Sequence, residues 1–181
     1  HPTLRRQRQM CIRDSVPRYV QDKGLADWTG MAILALIGFF NIIGTLVMGY
    51  LGDKYSKKIL LSGLYFLRGI TLILFIFLPA SNLSAVLFGT SFGLLWLATV
   101  PATNGIVAQI FGTKNLTLLF GIVFLNHQFG SFLGAYLGGY FYDQFGSFDY
   151  AWYMAIVLSF IATALHLPID EKPLATVDKT I

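Results

Sequence analysis

Charged residues are scarce in this sequence. Only 12% of the residues are charged and 55% are hydrophobic, whereas a soluble domain usually has about 25% charged residues. This shortage argues against an ordinary soluble fold and makes a lipid bilayer the expected surroundings. The net charge of +4 does not indicate a nucleic-acid partner, because most of it comes from arginines within residues 1–15.

Cysteine and catalytic motifs are also nearly absent. The single cysteine, Cys11, lies near the start of the chain and says nothing about redox compartment. The sequence has no Gly-x-Ser-x-Gly, no metal-spaced His/Cys cluster and no phosphate loop. We therefore expect no enzyme activity, no cofactor and no metal. An intramembrane enzyme would need paired polar residues on facing helices, and none is evident.

Residues 1–15 differ from the remainder in composition. Arg6-Gln-Arg-Gln-Met-Cys-Ile-Arg-Asp-Ser15 resembles translated sequencing-adapter read-through, and the alternative is a polar external loop. No apolar run follows the basic residues, as it would in a signal peptide. We expect 1–15 to be non-native or disordered and the chain to be truncated, with 16–23 ending a preceding helix.

Long apolar runs dominate the rest. They predict five transmembrane helices, at about 28–50, 59–78, 83–110, 116–142 and 150–167, followed by a tail at 168–181. Pro101 and Gly105 predict a kink or a close packing seam in the third run. The predicted fold class is therefore an all-α integral membrane protein.

Basic residues predict how these spans are oriented. Arg18 and Lys23 fall on one side of the predicted membrane; the other side receives Lys54, Lys57, Lys58, Lys114, Lys172 and Lys179. Since basic residues concentrate in cytoplasmic loops, we expect an external N-terminal end, a cytoplasmic C-terminus and a place in the cell (inner) membrane.

A charged segment, Gly49-Tyr-Leu-Gly-Asp-Lys-Tyr-Ser-Lys-Lys58, joins the first two spans. Its glycines allow close helix approach, and Asp53 suits the positive amino end of another helix, with the start of the fourth span as the expected partner. A basic anchoring loop without mechanism is the alternative. The segment resembles the signature loop of the Major Facilitator Superfamily, and the matching positions are Gly49, Leu51, Asp53, Lys54, Lys57 and Lys58; Ser56 replaces a usual glycine.

The resemblance covers residues 16–175 and implies helices eight to twelve, an incomplete C-terminal six-helix bundle of that superfamily. It implies a gating role for the loop and transport of a small solute by alternating access, with a coupling proton or ion and a missing N-terminal half as partners. A general resemblance to bacterial carboxylate-transporter-like members favours an organic anion such as a monocarboxylate. The alternative is a non-transporting interaction or signalling membrane protein on the same helices.

Glycines recur every fourth residue in the fourth span. Gly130, Gly134 and Gly138 share one helix face, a spacing typical of close helix packing. The stretch resembles the glycine-rich part of helix five or eleven in many superfamily members.

Arg68 is the one basic residue predicted at mid-depth. It follows Lys58 by ten residues, about 15 Å into a core of about 30 Å, where a charge is costly. It should face a cavity, a carboxylate or a substrate. The sequence leaves two partners for the Arg68 guanidinium open: an anionic substrate, or an acidic residue of the missing half in a buried ion pair.

Amide and imidazole groups lie at similar depth. His127 could bind substrate or carry a coupling proton, or it could simply be a hydrogen-bonded helix residue. Asn126 and Gln128 flank it, and adjacent positions point about 100° apart. Weaker cavity candidates are Asn104 and Gln109 in the third span and Asn41 in the first; for these, interhelical hydrogen bonding is the alternative.

Overall fold

The computed structural model describes residues 24–79 and 81–174, so the predictions for 1–15, 16–23 and the end of the tail lie outside the described residues. The described ranges contain six helices and no strand: α1 Asp27–Lys54, α2 Lys57–Phe77, α3 Asn82–Trp96, α4 Thr99–Phe111, α5 Leu116–Phe145 and α6 Asp149–His166. The all-α class is confirmed.

The charged segment is more helical than its sequence suggests. α1 continues through Gly49 and Asp53 to Lys54, and only Tyr55 and Ser56 separate it from α2. The first span therefore ends four residues later than the predicted 50, and the linker is shorter than the sequence suggests. Transmembrane helices tolerate glycine, and a lysine in the last turn complements the negative end of the helix; extended backbone at Tyr55, with ψ of 161°, ends α1.

The third apolar run is broken rather than continuous. Leu97 and Ala98 form a turn between α3 and α4, so the predicted kink is found just before Pro101. Proline lies in the first turn of α4, where its missing N–H leaves no helical hydrogen bond unmade. At the other end, a reciprocal capping box between Ser81 and Ser84 starts α3, with bonds of 3.1 and 3.0 Å.

Two close helix pairs build the bundle. α1 packs on α3, and α2 packs on α6. In the first pair the backbones meet at Gly44 and Gly93. A Cβ added at Gly44 would overlap the Leu94 carbonyl group, and one added at Gly93 would lie 2.9 Å from Ile37 Cα. In the second, Ser62 Oγ donates to the Thr163 carbonyl at 3.0 Å. α4 packs against both α1 and α2 and so joins the pairs.

Two apolar clusters lie at opposite ends of this bundle. The first joins the starts of α1, α3 and α6 with the end of α2, and contains Ile33, Leu72, Ala85, Phe88, Phe92 and Trp152. The second joins the end of α1, the start of α2 and α4, and contains Met48, Leu61, Leu64, Ala98, Ala102, Ile106 and Val107. The break at Leu97 therefore lies between them, at mid-depth.

Four helical segments are long and apolar enough to cross a membrane: α1, α2, α3 with α4, and α5. α6 has 18 residues and begins with an aspartate; it is not among the four, so its role as a fifth span stays a prediction. Large hydrophobic side chains on all these helices are exposed, as expected where lipid rather than protein surrounds them.

Candidate functional site

The polar residues of α5 lie on a helix that the rest of the described chain leaves uncovered. α5 packs lightly on α4 and α6, and none of its residues is buried. Asn126, His127 and Gln128 are near its middle and all are exposed. The structure therefore presents these predicted site residues on an open helix surface.

Asn126, His127 and Gln128 differ in their hydrogen bonding. Asn126 Nδ2 donates to the Ile122 carbonyl of its own helix at 3.0 Å. The His127 ring lies over the Phe124 ring, 5.9 Å between centroids. Within 24–79 and 81–174, neither His127 nor Gln128 makes a side-chain hydrogen bond. These two side chains remain available to a ligand or to another part of the protein.

The predicted packing glycines share the His127 face. Helical spacing puts Gly130, Gly134 and Gly138 within about 60° of His127 around α5. A Cβ added at any of the three meets nothing within 4 Å, so their packing role is not observed among the described residues and stays a prediction. The result is a shallow, small-residue surface that leads to an imidazole.

Gly105, singled out in the sequence, packs on the Lys57 side chain, where an added Cβ would lie 2.9 Å from Lys57 Cε. The glycines at which two helix backbones meet were not selected from the sequence. They are Gly44 on α1 and the pair Gly89 and Gly93 on α3; a Cβ at Gly89 would lie 3.2 Å from the Ile33 carbonyl oxygen. The spacing of Gly89 and Gly93 is itself the small-xxx-small pattern of close helix pairs. That signal was present in the third apolar run.

Arg68 lies near the middle of α2 and contacts backbone, not an acid. Its Nη2 donates to the carbonyls of Leu95 and Trp96, at 2.7 and 2.9 Å. The guanidinium also lies over the rings of Tyr65 and Trp96. Neither alternative drawn from the sequence, a substrate or an ion pair, anticipates this arrangement, because the acceptors appear only where the third span breaks.

The weaker cavity candidates have separate surroundings. Asn41 Oδ1 accepts the Leu97 N–H at 2.9 Å, and Gln109 Oε1 accepts from Lys57 Nζ at 2.9 Å. The buried Asn104 Oδ1 has no hydrogen-bond partner among the described residues. Asn41 and Gln109 thus make the interhelical bonds that the sequence left as an alternative, and among the described residues Asn104 makes no hydrogen bond to the α5 polar group.

Within the signature segment, Asp53 is exposed, whereas Lys58 contacts the chain that follows α6. Asp53 is exposed and makes no hydrogen bond within the described ranges, so its bond to the start of α5 stays a prediction. Lys54 Nζ donates to the Tyr50 hydroxyl one turn earlier. Lys58 Nζ donates to the Ile169 carbonyl at 2.9 Å. Lys57 and Lys58 therefore act as anchor points, whereas Asp53 is free to find a partner elsewhere.

The chain after α6 returns across the same end of the bundle. Glu171 Oε1 accepts the Lys58 N–H at 2.6 Å, while the Glu171 carbonyl accepts from Gln109 Nε2 at 3.0 Å. The Leu174 N–H donates to the Ile110 carbonyl at 3.0 Å. This strap, residues 169–174, ties the start of α2 to the end of α4. Nothing in the apolar pattern of the sequence predicts it.

Glu171→Gln is expected to lower the free energy of unfolding by about 1 kcal/mol, because a carboxylate at a helix amino terminus interacts with the positive end of the helix dipole. Thermal melting in detergent measures it. Asp170→Asn is the matched control, since among the described residues the Asp170 carboxylate contacts only exposed Lys172, through its ammonium at 3.8 Å and its backbone N–H at 3.2 Å, and such exposed pairs contribute little. Equal melting of both variants would contradict a capping role for Glu171.

The family of this helical protein follows from its similarity to known protein families. The Major Facilitator Superfamily matches residues 16–180, nearly the whole chain. The chain belongs to the Major Facilitator Superfamily. The resemblance based on the segment Gly49–Lys58 is thereby confirmed, and with it a multi-pass membrane protein of a transporter family.

Two superfamily relatives illustrate the match. The uncharacterized MFS-type transporter YcxA of Bacillus subtilis (strain 168) is 31% identical over 147 residues, covering 78% of this chain and 35% of the relative. Monocarboxylate transporter 13 of Rattus norvegicus is 27% identical over 139 residues, covering 76% of this chain and 32% of the relative. The chain spans about a third of the length of these curated relatives.

Proposed function

We propose that this chain forms helices eight to twelve of a secondary active superfamily transporter, which moves a small solute by alternating access. Superfamily membership over residues 16–180 supports a transporter. The C-terminal half is proposed because the signature segment follows the first of the predicted spans, as it would between helices eight and nine. The N-terminal half would complete the bundle, and the lipid bilayer surrounds it.

The uncovered state of α5 is the observation that carries this proposal. A helix of 30 residues without one buried residue is not a finished part of a packed bundle. Its central His127 and Gln128 are polar groups at membrane depth, which in transporters mark substrate and ion pathways. In the proposed assembly this surface faces the other half, and the solute binds between the two at mid-depth.

The signature segment would serve the conformational change rather than the solute. Asp53 is exposed at the end of α1 and is available to pair with a helix amino end in one conformation and release it in another. Lys57 and Lys58, already tied to α4 and the strap, would keep this end of the bundle rigid. We assign these residues to gating.

A small organic anion, such as a monocarboxylate, is the proposed solute class. The name of the rat relative, Monocarboxylate transporter 13, supports it, and so does the imidazole of His127 on the open face of α5. His127 is better placed for such a ligand than Arg68, whose guanidinium already donates to two carbonyls. His127 is also the candidate to carry a coupling proton.

The proposed orientation has the signature segment, the turn at Lys114 and the strap in the cytoplasm. Lys54, Lys57, Lys58 and Lys172 lie at this end of the helices, while Asp143 and Asp149 lie at the other, as their positions at helix ends require. The excess of lysine at one end agrees with the positive-inside rule. The membrane in question would be the bacterial inner membrane.

Solute flux tests the function directly. The full-length protein in liposomes is expected to take up radiolabelled monocarboxylates down an imposed proton gradient, and this chain alone is not, because it supplies one side of the cavity. Empty liposomes are the control. Flux through this chain alone would contradict the shared-cavity proposal, and no flux of any tested solute through the full-length protein would favour a non-transporting role.

A further inference from the structure

The break between α3 and α4 lies where a broken helix is costly. Leu97 and Ala98 interrupt a run of 30 residues that is otherwise apolar enough to span a membrane. A break frees backbone carbonyls on its first side and N–H groups on its second. In the hydrocarbon region no water satisfies them, and each unpaired group costs several kcal/mol. Some partners are local: the Val100 N–H donates to the Leu97 carbonyl at 3.0 Å, and the Thr99 hydroxyl donates to the Trp96 carbonyl at 3.4 Å. Two other helices supply further partners.

One partner is a cation from α2. Arg68 Nη2 donates to the Leu95 and Trp96 carbonyls, at 2.7 and 2.9 Å, which are the last two of α3. The guanidinium carbon is 5.2 Å from the Tyr65 ring centroid and 5.7 Å from that of Trp96. A positive charge is favoured at the carboxyl end of a helix, and the two rings add cation–π attraction. One side chain thus satisfies two freed carbonyls.

The other partner is an acceptor from α1. Asn41 Oδ1 accepts the Leu97 N–H at 2.9 Å, across 56 residues of sequence. One turn further along α1, the backbone at Gly44 touches the backbone of α3 at Leu94. This contact fixes the distance between Asn41 and the break. Arg68 and Asn41 therefore reach the same interruption from two different helices.

We infer that Arg68 and Asn41 form a bracket that holds the third span in its broken form. Arg68 is a positioning residue in it: its guanidinium occupies the place at the end of α3 where transporters with broken helices coordinate a coupling cation through freed carbonyls. The bracket keeps α4 at a fixed angle to α3, and so keeps α4 packed against α1 and α2 during transport. The inference rests on the proposed function only for this last consequence.

The test is a thermal melt of the full-length protein with and without guanidinium. Arg68→Ala should lower the melting temperature by roughly 5 °C, because the Leu95 carbonyl loses its donor and the Trp96 carbonyl keeps only the Thr99 hydroxyl, at 3.4 Å. Millimolar guanidinium chloride should restore most of that loss, since the free ion fits the vacated place. The matched control is Thr71→Ala, one turn along α2, where the hydroxyl bonds only its own helix at Leu67; neither the substitution nor the salt should change its melting.

Two results would overturn the bracket. One is an Arg68→Ala protein that melts as wild type does, and the other is a destabilised Arg68→Ala protein that guanidinium does not stabilise. If Arg68→Ala fails to accumulate, Asn41→Leu tests the second arm, with a smaller fall in melting temperature expected and unchanged melting counting against the inference.

Transport kinetics separate this inference from the proposed function. A positioning role predicts that Arg68→Lys lowers the maximal rate of uptake while leaving the apparent KM for solute unchanged. A raised KM with unaltered melting would make Arg68 a substrate ligand and overturn the bracket, while leaving transport intact. Absence of flux in the wild-type protein would reject the proposed function, and the guanidinium melt would still decide the bracket.

Discussion

Replacing Gly44 by leucine is expected to prevent α1 and α3 from packing as they do here. A Cβ at this position would overlap the Leu94 carbonyl group, a backbone neighbour that cannot rotate away. Overpacking of a close core contact typically costs 1–3 kcal/mol, and a backbone obstacle puts a leucine at about 3 kcal/mol or more. The expected result is loss of the folded, monodisperse protein in detergent, measured by size-exclusion chromatography and melting.

Gly38→Leu is the matched control for this prediction. Gly38 lies on the same helix and is exposed, and a Cβ there meets nothing within 4 Å. Both substitutions change helix propensity and apolarity equally, so they differ only in the interhelical contact. Should Gly44→Leu behave as Gly38→Leu does, the close approach of α1 and α3 would be wrong.

Removing the His127 imidazole is expected to reduce solute uptake by the full-length protein about tenfold or more. A hydrogen bond between a charged ligand and a side chain contributes about 1.5–3 kcal/mol, and each 1.4 kcal/mol is about a factor of ten in affinity. His127→Ala should therefore raise the apparent KM for an anionic solute. Melting should not change, because His127 is exposed and makes no hydrogen bond to the described residues.

Ser131→Ala controls for a general effect of altering α5. Ser131 lies one turn after His127, and its hydroxyl already donates to the His127 carbonyl at 3.0 Å. Loss of that hydroxyl should leave uptake nearly unchanged. The assignment of His127 to the solute pathway would fail if both variants took up solute as wild type does, or if both lost uptake to the same extent.

The broad architecture of this chain could be predicted from its sequence. An apolar run that crosses a bilayer must satisfy all its backbone hydrogen bonds internally, so length and apolarity are enough to predict a helix. For this reason the predicted runs at 59–78 and 116–142 agree within a few residues with α2 and α5. The family likewise follows from a local pattern, Gly49 to Lys58, and needs no knowledge of the fold.

The site was only partly predictable, and Arg68 shows why. Depth along a helix follows from counting residues, so its mid-membrane position could be predicted. Its acceptors could not, because they are backbone carbonyls 27 and 28 residues away, freed by a break whose position depends on packing. The glycines give the same lesson. Gly130, Gly134 and Gly138 have the spacing of a packing face and open space around them, while Gly44, which has no glycine four residues before or after it, makes the closest contact.

What the sequence by itself determined is the approximate position of each apolar run, the family and the place of each polar residue along its run; the break at Leu97 and the extension of α1 to Lys54 were not among them. The tertiary structure alone decided which surfaces meet. It joined Asn41 and Arg68 at one break, returned Glu171 to the start of α2 across 113 residues, and left α5 uncovered. The physical reason is that apolarity toward lipid and apolarity toward another helix give the same sequence pattern, so only the packed arrangement distinguishes them.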